Sequence, residues 1–292
     1  MNIDDLLSIL NVRPRDSHKG TYGTVLIVGG SRGMSGAAVL AGRAALRGGA
    51  GLTRLAVPEG ILPTVAAMQA EYTTIPLPED AAGRIAEGAW EEIRRQAESA
   101  DVVAVGPGLG KSEGLAVLMW RIWTELERPV ILDADGLNML AETLHAPLAG
   151  EFCARKHVRI VTPHPGEFYR LAGITQKLSG DLLRARAITW AREHGCVTVL
   201  KGEGTLVTDG ESSWRNPTGN PGMATGGSGD VLTGLMAALA AQLLRKEVSP
   251  ADVARLAVYL HGKAGDFAAK EVGEVSLIAG DIIRFLPEAI QN

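Results

Sequence analysis

The sequence is poor in aromatic residues, cysteines and long apolar runs, and its charges nearly balance. Aromatic residues make up 4% of the chain and the formal net charge is -4, so neither a nucleic-acid-binding nor a membrane-surface protein is expected. The cysteines, Cys153 and Cys196, lie in separate segments, which argues against a disulfide framework and fits a reducing cytoplasmic compartment. No run of 18 apolar residues indicates a membrane span, and the N-terminal MNIDDLLSIL carries acids where a signal peptide carries positive charge.

Glycine, by contrast, is abundant, with 36 residues in a chain of 292. The densest stretch, GNPGMATGGSGDVLTG, runs from Gly219 to Gly234 and leads into a long apolar segment that predicts a buried helix. Flexible glycine backbone and the positive end of a helix together form a site for phosphate. Asp230 lies in this site, where a carboxylate suits a base that takes a proton from an attacking hydroxyl. The alternative is that Asp230 merely caps the helix.

Short β-branched runs alternate with helical patterns along most of the chain. The run TVLIVGG from Thr24 to Gly30 is the first of six that end in Gly, Pro, Asp or Lys. This order predicts an α/β fold with a mostly parallel central sheet and helices on both faces, with ligands at the carboxyl ends of the strands. The segment from Leu206 to Pro217 predicts an antiparallel hairpin with an Asp-Gly turn. No linker or repeat divides the chain, so we expect a single domain over residues 1–292.

Two nucleotide motifs are nearly present and are not accepted. VGPGLGKS would be a P-loop only with glycine five positions before Gly110, where the chain has Val105. VGGSRG lacks the dinucleotide-binding spacing G-x-G-x-x-G because position 31 is serine. Both segments are therefore interpreted as tight turns between a strand and a helix.

Six segments taken together resemble one family. GTYGTVLIVGGSRGMSGA, VGPGLG, ILDADGLN, TPHPGEF, LKGEGT and NPTGNPGMATGGSGDVLTG resemble the ADP-dependent NAD(P)H-hydrate dehydratases of the ribokinase-like superfamily. The resemblance runs from about Lys19 to about Pro287 and implies a ribokinase-like fold. Sugar and vitamin kinases of this superfamily share the final G-x-G-D but are not expected to carry TPHPGEF and NPTGN. Many members have an N-terminal epimerase domain, whereas about twenty residues precede the first motif here, so the NAD(P)H-hydrate epimerase is expected as a separate functional partner.

The resemblance implies metabolite repair. The S-form of hydrated NADH or NADPH would be phosphorylated on its hydroxyl by ADP and would then lose phosphate, giving NAD(P)H, AMP and phosphate, with Mg²⁺ arriving with the nucleotide. It also implies a homo-oligomer, a tetramer in the family. Two alternatives stay open: a small-molecule kinase of the same fold with a vitamin or sugar as acceptor, and a nucleotide-sensing protein without catalysis. The intact Asp230 disfavours the second.

The implied site residues fall into three groups. The catalytic base is Asp230. The nucleotide-binding set, with the anion-binding glycine loop, is Lys201, Gly202, Glu203, Gly204, Thr205, Gly226, Gly227, Ser228 and Gly229. The substrate-binding set is Ala37, Ala38, Gly108, His164 and Asp230.

Several of these residues also have purely structural interpretations. Lys201 could be exposed on a simple turn, Ala37 and Ala38 could only pack a helix, and His164 could be an ordinary surface histidine, although its two flanking prolines favour a role in a cleft. Glu167 could be an N-terminal charge partner of its helix or could hold Mg²⁺ through water. Asp133, Asp135 and Asn138 could line the site or cap a helix, and His261, inside an apolar helix, is interpreted as core packing. No cluster of His, Cys and Asp has transition-metal spacing.

Overall fold

The computed structural model describes residues 1–144 and 157–291, and a nine-stranded sheet forms its centre. The strands lie in the order β3-β2-β1-β4-β5-β6-β7-β8-β9. Neighbours from β3 to β7 pair in parallel, and β7-β8 and β8-β9 pair antiparallel. Their bounds are β1 Thr24–Val28, β2 Leu52–Pro58, β3 Thr73–Leu77, β4 Val102–Val105, β5 Val130–Leu132, β6 Arg159–Val161, β7 Val197–Leu200, β8 Leu206–Thr208 and β9 Ser213–Arg215.

Helices cover both faces of the sheet. One layer contains α1 (Ile3–Asn11), α2 (Ser35–Arg47), α3 (Leu62–Ala67), α9 (Ser228–Leu243), α10 (Pro250–Val272) and α11 (Ala279–Gln291). The other contains α4 (Trp90–Ala97), α5 (Glu113–Glu125), α6 (Ala134–Leu144), α7 (Pro165–Leu171) and α8 (Gly180–His194).

The alternation of side chains along the strands creates two apolar cores. Val25 and Ile27 of β1 pack with α2 and α9, whereas Leu26 and Val28 pack with α4 and α5 on the opposite face. All five residues of β1 are buried, as expected for a central parallel strand that is covered on both sides. The sheet is therefore a rigid platform whose strand ends can hold side chains in fixed positions.

The mostly parallel sheet, the helices on both faces and the antiparallel hairpin at the edge are confirmed. The hairpin turn differs in detail, because Asp209 to Ser212 form a four-residue loop between the last paired residues of β8 and β9. The Asp209 carboxylate accepts hydrogen bonds from the backbone N–H groups of Glu211 and Ser212, so a side chain and not only Gly210 stabilises the loop.

The described residues can be compared with the expectations on membrane spans and cysteines. In residues 1–144 and 157–291, no helix has the length and apolar character needed to cross a membrane. Cys196 is buried, with its sulfur 3.8 Å from the Thr198 hydroxyl, whereas Cys153 lies outside the described residues.

Candidate active site

The carboxyl ends of the parallel strands meet at one edge of the sheet, as expected. The turn after β1 contacts the turn after β4, because Gly30 N–H donates to the Pro107 carbonyl at 2.7 Å and the Ser31 hydroxyl donates to the Gly108 carbonyl at 2.8 Å. The turn after β4 also contacts the end of β5. The two backbones approach closely there, because a Cβ atom on Gly106 would lie only 1.8 Å from the Asp133 carbonyl oxygen. Three neighbouring strand ends are thus held as one unit.

The glycine-rich loop leads directly into α9. Gly227, with a φ of 89°, is the N-cap residue, and no side chain caps the helix. The first-turn amides therefore lack a side-chain acceptor, and together with the helix dipole they favour an anion at this position. Asp230 is the third residue of α9 and does not form the cap that was its structural alternative.

A buried ion pair joins the ends of β5 and β7. The Lys201 ammonium lies 2.6 Å from Asp133 Oδ1, and the side chains are 19% and 1% exposed. The Thr162 and Thr233 hydroxyls also donate to the Asp133 carboxylate, each at 2.7 Å. Burial opposes ionisation of both partners, but their mutual attraction prevails, so the pKa of Asp133 is lowered and that of Lys201 is raised. Lys201 is therefore not the exposed side chain that its structural alternative required.

His164 and Glu167 form a reciprocal cap at the start of α7. The His164 backbone N–H donates to the Glu167 carboxylate at 2.7 Å, and His164 Nδ1 accepts from the backbone N–H groups of Gly166 and Glu167. Glu167 is buried and also lies 3.7 Å from the Lys201 ammonium. The structure thus shows Glu167 as the charge partner at this helix start, while the His164 side chain is 52% exposed, with its Nε2 3.4 Å from Glu167 Oε1.

Asp230 lies beside this ion pair. A Cβ atom on the preceding Gly229 would be 3.4 Å from Lys201 Nζ and 3.6 Å from Asp133 Oδ2. Burial raises the pKa of Asp230 to about 7, with further contributions from the negative charges of Asp133 and Asp135 that exceed the opposing effect of Lys201. Within the described residues, Asp230 is not among the side chains with a hydrogen-bond partner. A carboxylate with a pKa near neutrality and no partner is suited to accept a proton from a substrate.

The DADGLN segment connects two loops of the site. The Asp135 carboxylate accepts a hydrogen bond from the Gly110 backbone N–H at 2.9 Å, and Asn138 accepts from Arg170 Nε at 2.8 Å. Asp135 thus holds the loop after β4, and Asn138 links α6 to α7. Neither side chain caps its own helix in these contacts.

The three small residues predicted to contact substrate lie together. Gly108 has a φ of 65°, and a Cβ atom there would lie 2.9 Å from the Cβ of Ala37. Ala37 is partly buried, whereas Ala38 is fully buried in the core. The packing interpretation therefore describes Ala38, and substrate contact by Gly108, Ala37 and Ala38 stays a prediction.

The segment after β7 forms a compact turn. Gly202 N–H donates to the Thr205 hydroxyl at 3.3 Å, which donates back to the Gly202 carbonyl at 2.9 Å. Gly204 has a φ of 59°, and Glu203 is exposed. The turn places exposed backbone beside Lys201, and its predicted contact with the nucleotide remains a prediction.

Sequence reasoning interpreted His261 as core packing and did not predict its contact with the first residue of α9. It is buried in α10, and its Nε2 lies 3.0 Å from the Ser228 carbonyl oxygen and 3.4 Å from the Ser228 hydroxyl. Burial lowers the pKa of His261 to about 4, so the imidazole is neutral near pH 7. The helical pattern around it gave no signal, because the contact joins residues 33 positions apart.

No group of three or more His, Cys, Asp or Glu side chains forms a metal site in the part of the chain that the structure describes. Asp133 and Glu167 both lie within 4 Å of Lys201. One ammonium therefore interacts with both carboxylates.

Comparison with known proteins identifies the family. The model of the NAD(P)H-hydrate dehydratase family matches residues 25–288. The chain belongs to this family. A bifunctional NAD(P)H-hydrate repair enzyme of Moorella thermoacetica is 43% identical over 289 residues, which cover 96% of this chain and 51% of that protein. The chain thus spans about half the length of this curated relative.

Solved structures confirm the ribokinase-like fold. The ADP/ATP-dependent NAD(P)H-hydrate dehydratase of Bacillus subtilis, co-crystallised with ATP and Mg²⁺, matches with a TM-score of 0.81 and 30% identity, covering 99% of this chain and 96% of that one. Hydroxyethylthiazole kinase of Pyrococcus horikoshii matches with a TM-score of 0.60 and 16% identity, covering 98% and 92%. The second likeness shows a shared fold alone.

Proposed function

We propose that the protein uses ADP to dehydrate the S-form of hydrated NADH or NADPH, with AMP and phosphate as the other products. The observation that carries the proposal is the Asp230 carboxylate, which lies in the first turn of α9 with a pKa near 7. Membership in the dehydratase family supplies the substrate class. The combination of a base and an amide-rich anion site supplies the reaction type.

The chemistry begins with a poor leaving group. Asp230 accepts the proton as the substrate hydroxyl attacks the β-phosphorus of ADP, and the bond to the oxygen of AMP breaks. The lone pair of the ring nitrogen then expels phosphate, and loss of a proton from the neighbouring carbon restores the double bond of NAD(P)H. The amides of Gly226, Gly227, Ser228 and Gly229 hold the charge that develops on the phosphoryl oxygens.

The ion pair between Lys201 and Asp133 places a fixed cation beside this amide site. Lys201 Nζ lies close to Gly229, where its ammonium is able to donate a hydrogen bond to a nucleotide phosphate. Nucleotide contact is assigned to Lys201, Gly202, Glu203, Gly204 and Thr205, and substrate contact to Ala37, Ala38, Gly108 and His164. The exposure of the His164 side chain beside the strand ends supports its part in this assignment.

Mg²⁺ fits this site as a companion of the nucleotide rather than as a resident ion. Asp133 and Glu167 both contact Lys201, so phosphate oxygens and water would be the main ligands of a hard cation, and the Asp230 carboxylate would be able to add one. When bound, Mg²⁺ would neutralise part of the phosphate charge. The name of the Bacillus subtilis structure, co-crystallised with ATP and Mg²⁺, is consistent with this role.

The test is to incubate the protein with hydrated NADH, Mg²⁺ and either ADP or ATP, and to follow the return of reduced-nicotinamide absorbance together with AMP and phosphate. We expect faster recovery with ADP. Equal rates with ATP would overturn the donor preference, which matters because the Bacillus subtilis relative is named for both nucleotides. A stable phosphorylated vitamin or sugar formed instead would replace the dehydratase with the small-molecule kinase, and nucleotide binding without turnover would indicate a sensor.

The remaining expectations concern the cellular setting. We propose one working domain over residues 1–292, a homo-oligomer that is a tetramer as in the family, a cytoplasmic location, and an NAD(P)H-hydrate epimerase activity as functional partner. The continuous nine-stranded sheet supports the first. Low cysteine usage supports the location, and the bifunctional name of the Moorella thermoacetica relative supports the partner.

A further inference from the structure

The glycine-rich loop before α9 and the segment that leads into it from Asn216 are hydrogen-bonded to one face of α10. Asn216 Nδ2 donates to the Val258 carbonyl at 3.3 Å, and the Thr218 hydroxyl donates to the Tyr259 carbonyl at 2.9 Å. About two turns further along α10, Asp266 accepts from the Gly219 backbone N–H and from Asn220 Nδ2, each at 2.9 Å. The loop therefore takes its position from this helix.

The approach of the two segments is close. A Cβ atom on Gly262 would lie 2.2 Å from the Thr218 hydroxyl oxygen, and one on Gly265 would lie 2.2 Å from the Met223 sulfur. Only glycine allows such contact without displacement. His261 precedes Gly262 and is the buried side chain of α10 that reaches the first residue of α9.

The direction of this hydrogen bond is fixed by chemistry. A carbonyl oxygen only accepts, so the His261 Nε2 that lies 3.0 Å from the Ser228 carbonyl carries a proton and donates it. His261 is neutral near pH 7, because burial lowers its pKa to about 4. The ring is therefore a constant donor over the range in which Asp230 titrates.

The acceptor belongs to the peptide unit that also contains the Gly229 amide. In a planar trans peptide the C=O and N–H groups point in opposite directions. A donor that holds the Ser228 carbonyl thus also fixes the Gly229 N–H, which points away from that carbonyl toward the start of α9. The same bond polarises the peptide and strengthens its N–H as a donor.

We propose that His261 is a positioning residue, which fixes the Ser228–Gly229 peptide so that the Gly229 amide is aimed at the transferred phosphoryl group. The role rests on the proposed phosphoryl transfer from ADP, and His261 itself touches neither substrate. Its effect is exerted on the nucleotide phosphates, both bound and in transfer, and not on the hydrated dinucleotide.

The test compares His261→Leu, which removes the donor, with His261→Gln, whose amide nitrogen can replace Nε2 as donor. Loss of one donor to a developing oxyanion costs about 10²–10³ in turnover, so a misdirected donor is expected to cost about tenfold. His261→Leu should therefore lower kcat about tenfold and weaken ADP binding in calorimetry, with KM for hydrated NADH unchanged. His261→Gln should restore most of both. Val253→Ala, a buried change near the start of α10, is the control for lost packing.

Equal losses of kcat in His261→Leu and Val253→Ala variants of matched melting temperature would overturn the positioning role. So would a leucine variant with unchanged ADP affinity and kcat, or a glutamine variant as impaired as the leucine variant. If the unmodified protein shows no dehydration of hydrated NADH, the proposed function fails. The ADP affinities of the three variants still decide the positioning role in that case.

Discussion

Two aspartates at the same edge of the sheet have opposite environments. Asp133, at the end of β5, is buried and is held by Lys201, Thr162 and Thr233, and its pKa is lowered. Asp230, in the first turn of α9, lacks these partners, and burial raises its pKa to about 7. One carboxylate is thus fixed in its charged form as an anchor, while the other is kept able to exchange a proton.

The largest effect should come from removing the basicity of Asp230. Asp230→Asn keeps the size of the side chain but not its basicity, so turnover should fall by about 10²–10⁴, the usual contribution of a positioned general base. ADP affinity should stay the same or rise, since a negative charge leaves an anion site. Turnover assays and calorimetric titration on one variant measure both, with Glu113→Gln, a change of an exposed side chain at the start of α5, as a charge-matched control. Near-normal turnover would remove Asp230 from the mechanism.

At Asp133 the corresponding change should above all lower the free energy of unfolding. Asp133→Asn removes the charge that compensates buried Lys201, and breaking a buried ion pair by removing one partner costs about 3–5 kcal/mol. Denaturant unfolding measures this loss. Asp135→Asn, which affects hydrogen bonds from Gly110 and Asn138 but no buried ion pair, should cost much less. Equal stability of the Asp133 variant and the unmodified protein would show that the pair is not an anchor.

The raised pKa of Asp230 also predicts a pH-dependent stability difference. The folded chain binds this proton more tightly than the unfolded chain, so stability conferred by protonated Asp230 is present at low pH and lost as pH rises from about 4 to about 7. The difference between a pKa of 3.8 in the unfolded chain and one of about 7 in the folded chain corresponds to about 4 kcal/mol at most. The Asp230→Asn variant should therefore be more stable than the unmodified protein at pH 8, and the two should converge at pH 4. Parallel unfolding curves across this range would contradict the raised pKa.

The smallest effect on stability is expected at Thr233, whose hydroxyl donates from α9 to Asp133 at the end of β5. Thr233→Val removes a hydrogen bond to a charged group, which costs about 1.5–3 kcal/mol. Thr233→Ser keeps the donor and serves as the control. A valine variant as stable as the serine variant would show that Asp133 needs only Lys201 and Thr162.

Sequence reasoning predicted one of these aspartates better than the other. The glycine run and the apolar helix after it are local, so the environment of Asp230 at the start of α9 was predictable from a few adjacent residues. Asp133 depends on Lys201, which is 68 positions away, and that contact exists only because β5, β6 and β7 are neighbours in the sheet. Strand order is a property of the whole fold, and no local pattern specifies it.

Two further contacts, one distant and one local in sequence, were not predicted. The interpretation of His261 as core packing missed its hydrogen bond to Ser228, because burial in an apolar helix is compatible with a polar contact to another segment. The cap formed by His164 and Glu167 has the spacing of a capping box, but histidine is not among the usual N-cap residues. Glu167 was expected either as a charge partner of its helix or as a residue that holds Mg²⁺ through water, and the structure shows the first arrangement.

The assignment of Asp230 as the base is tested by the pH dependence of kcat/KM for AMP formation from ADP and hydrated NADH. This profile reports the pKa of the free enzyme's essential base. The pKa of Asp230 predicts a plateau above about pH 7 and a tenfold fall per pH unit below it. The residual activity of Asp230→Asn should lack this acid limb. A flat profile down to pH 5 in the unmodified protein, or the same limb in the variant, would contradict the assignment of Asp230 as the base.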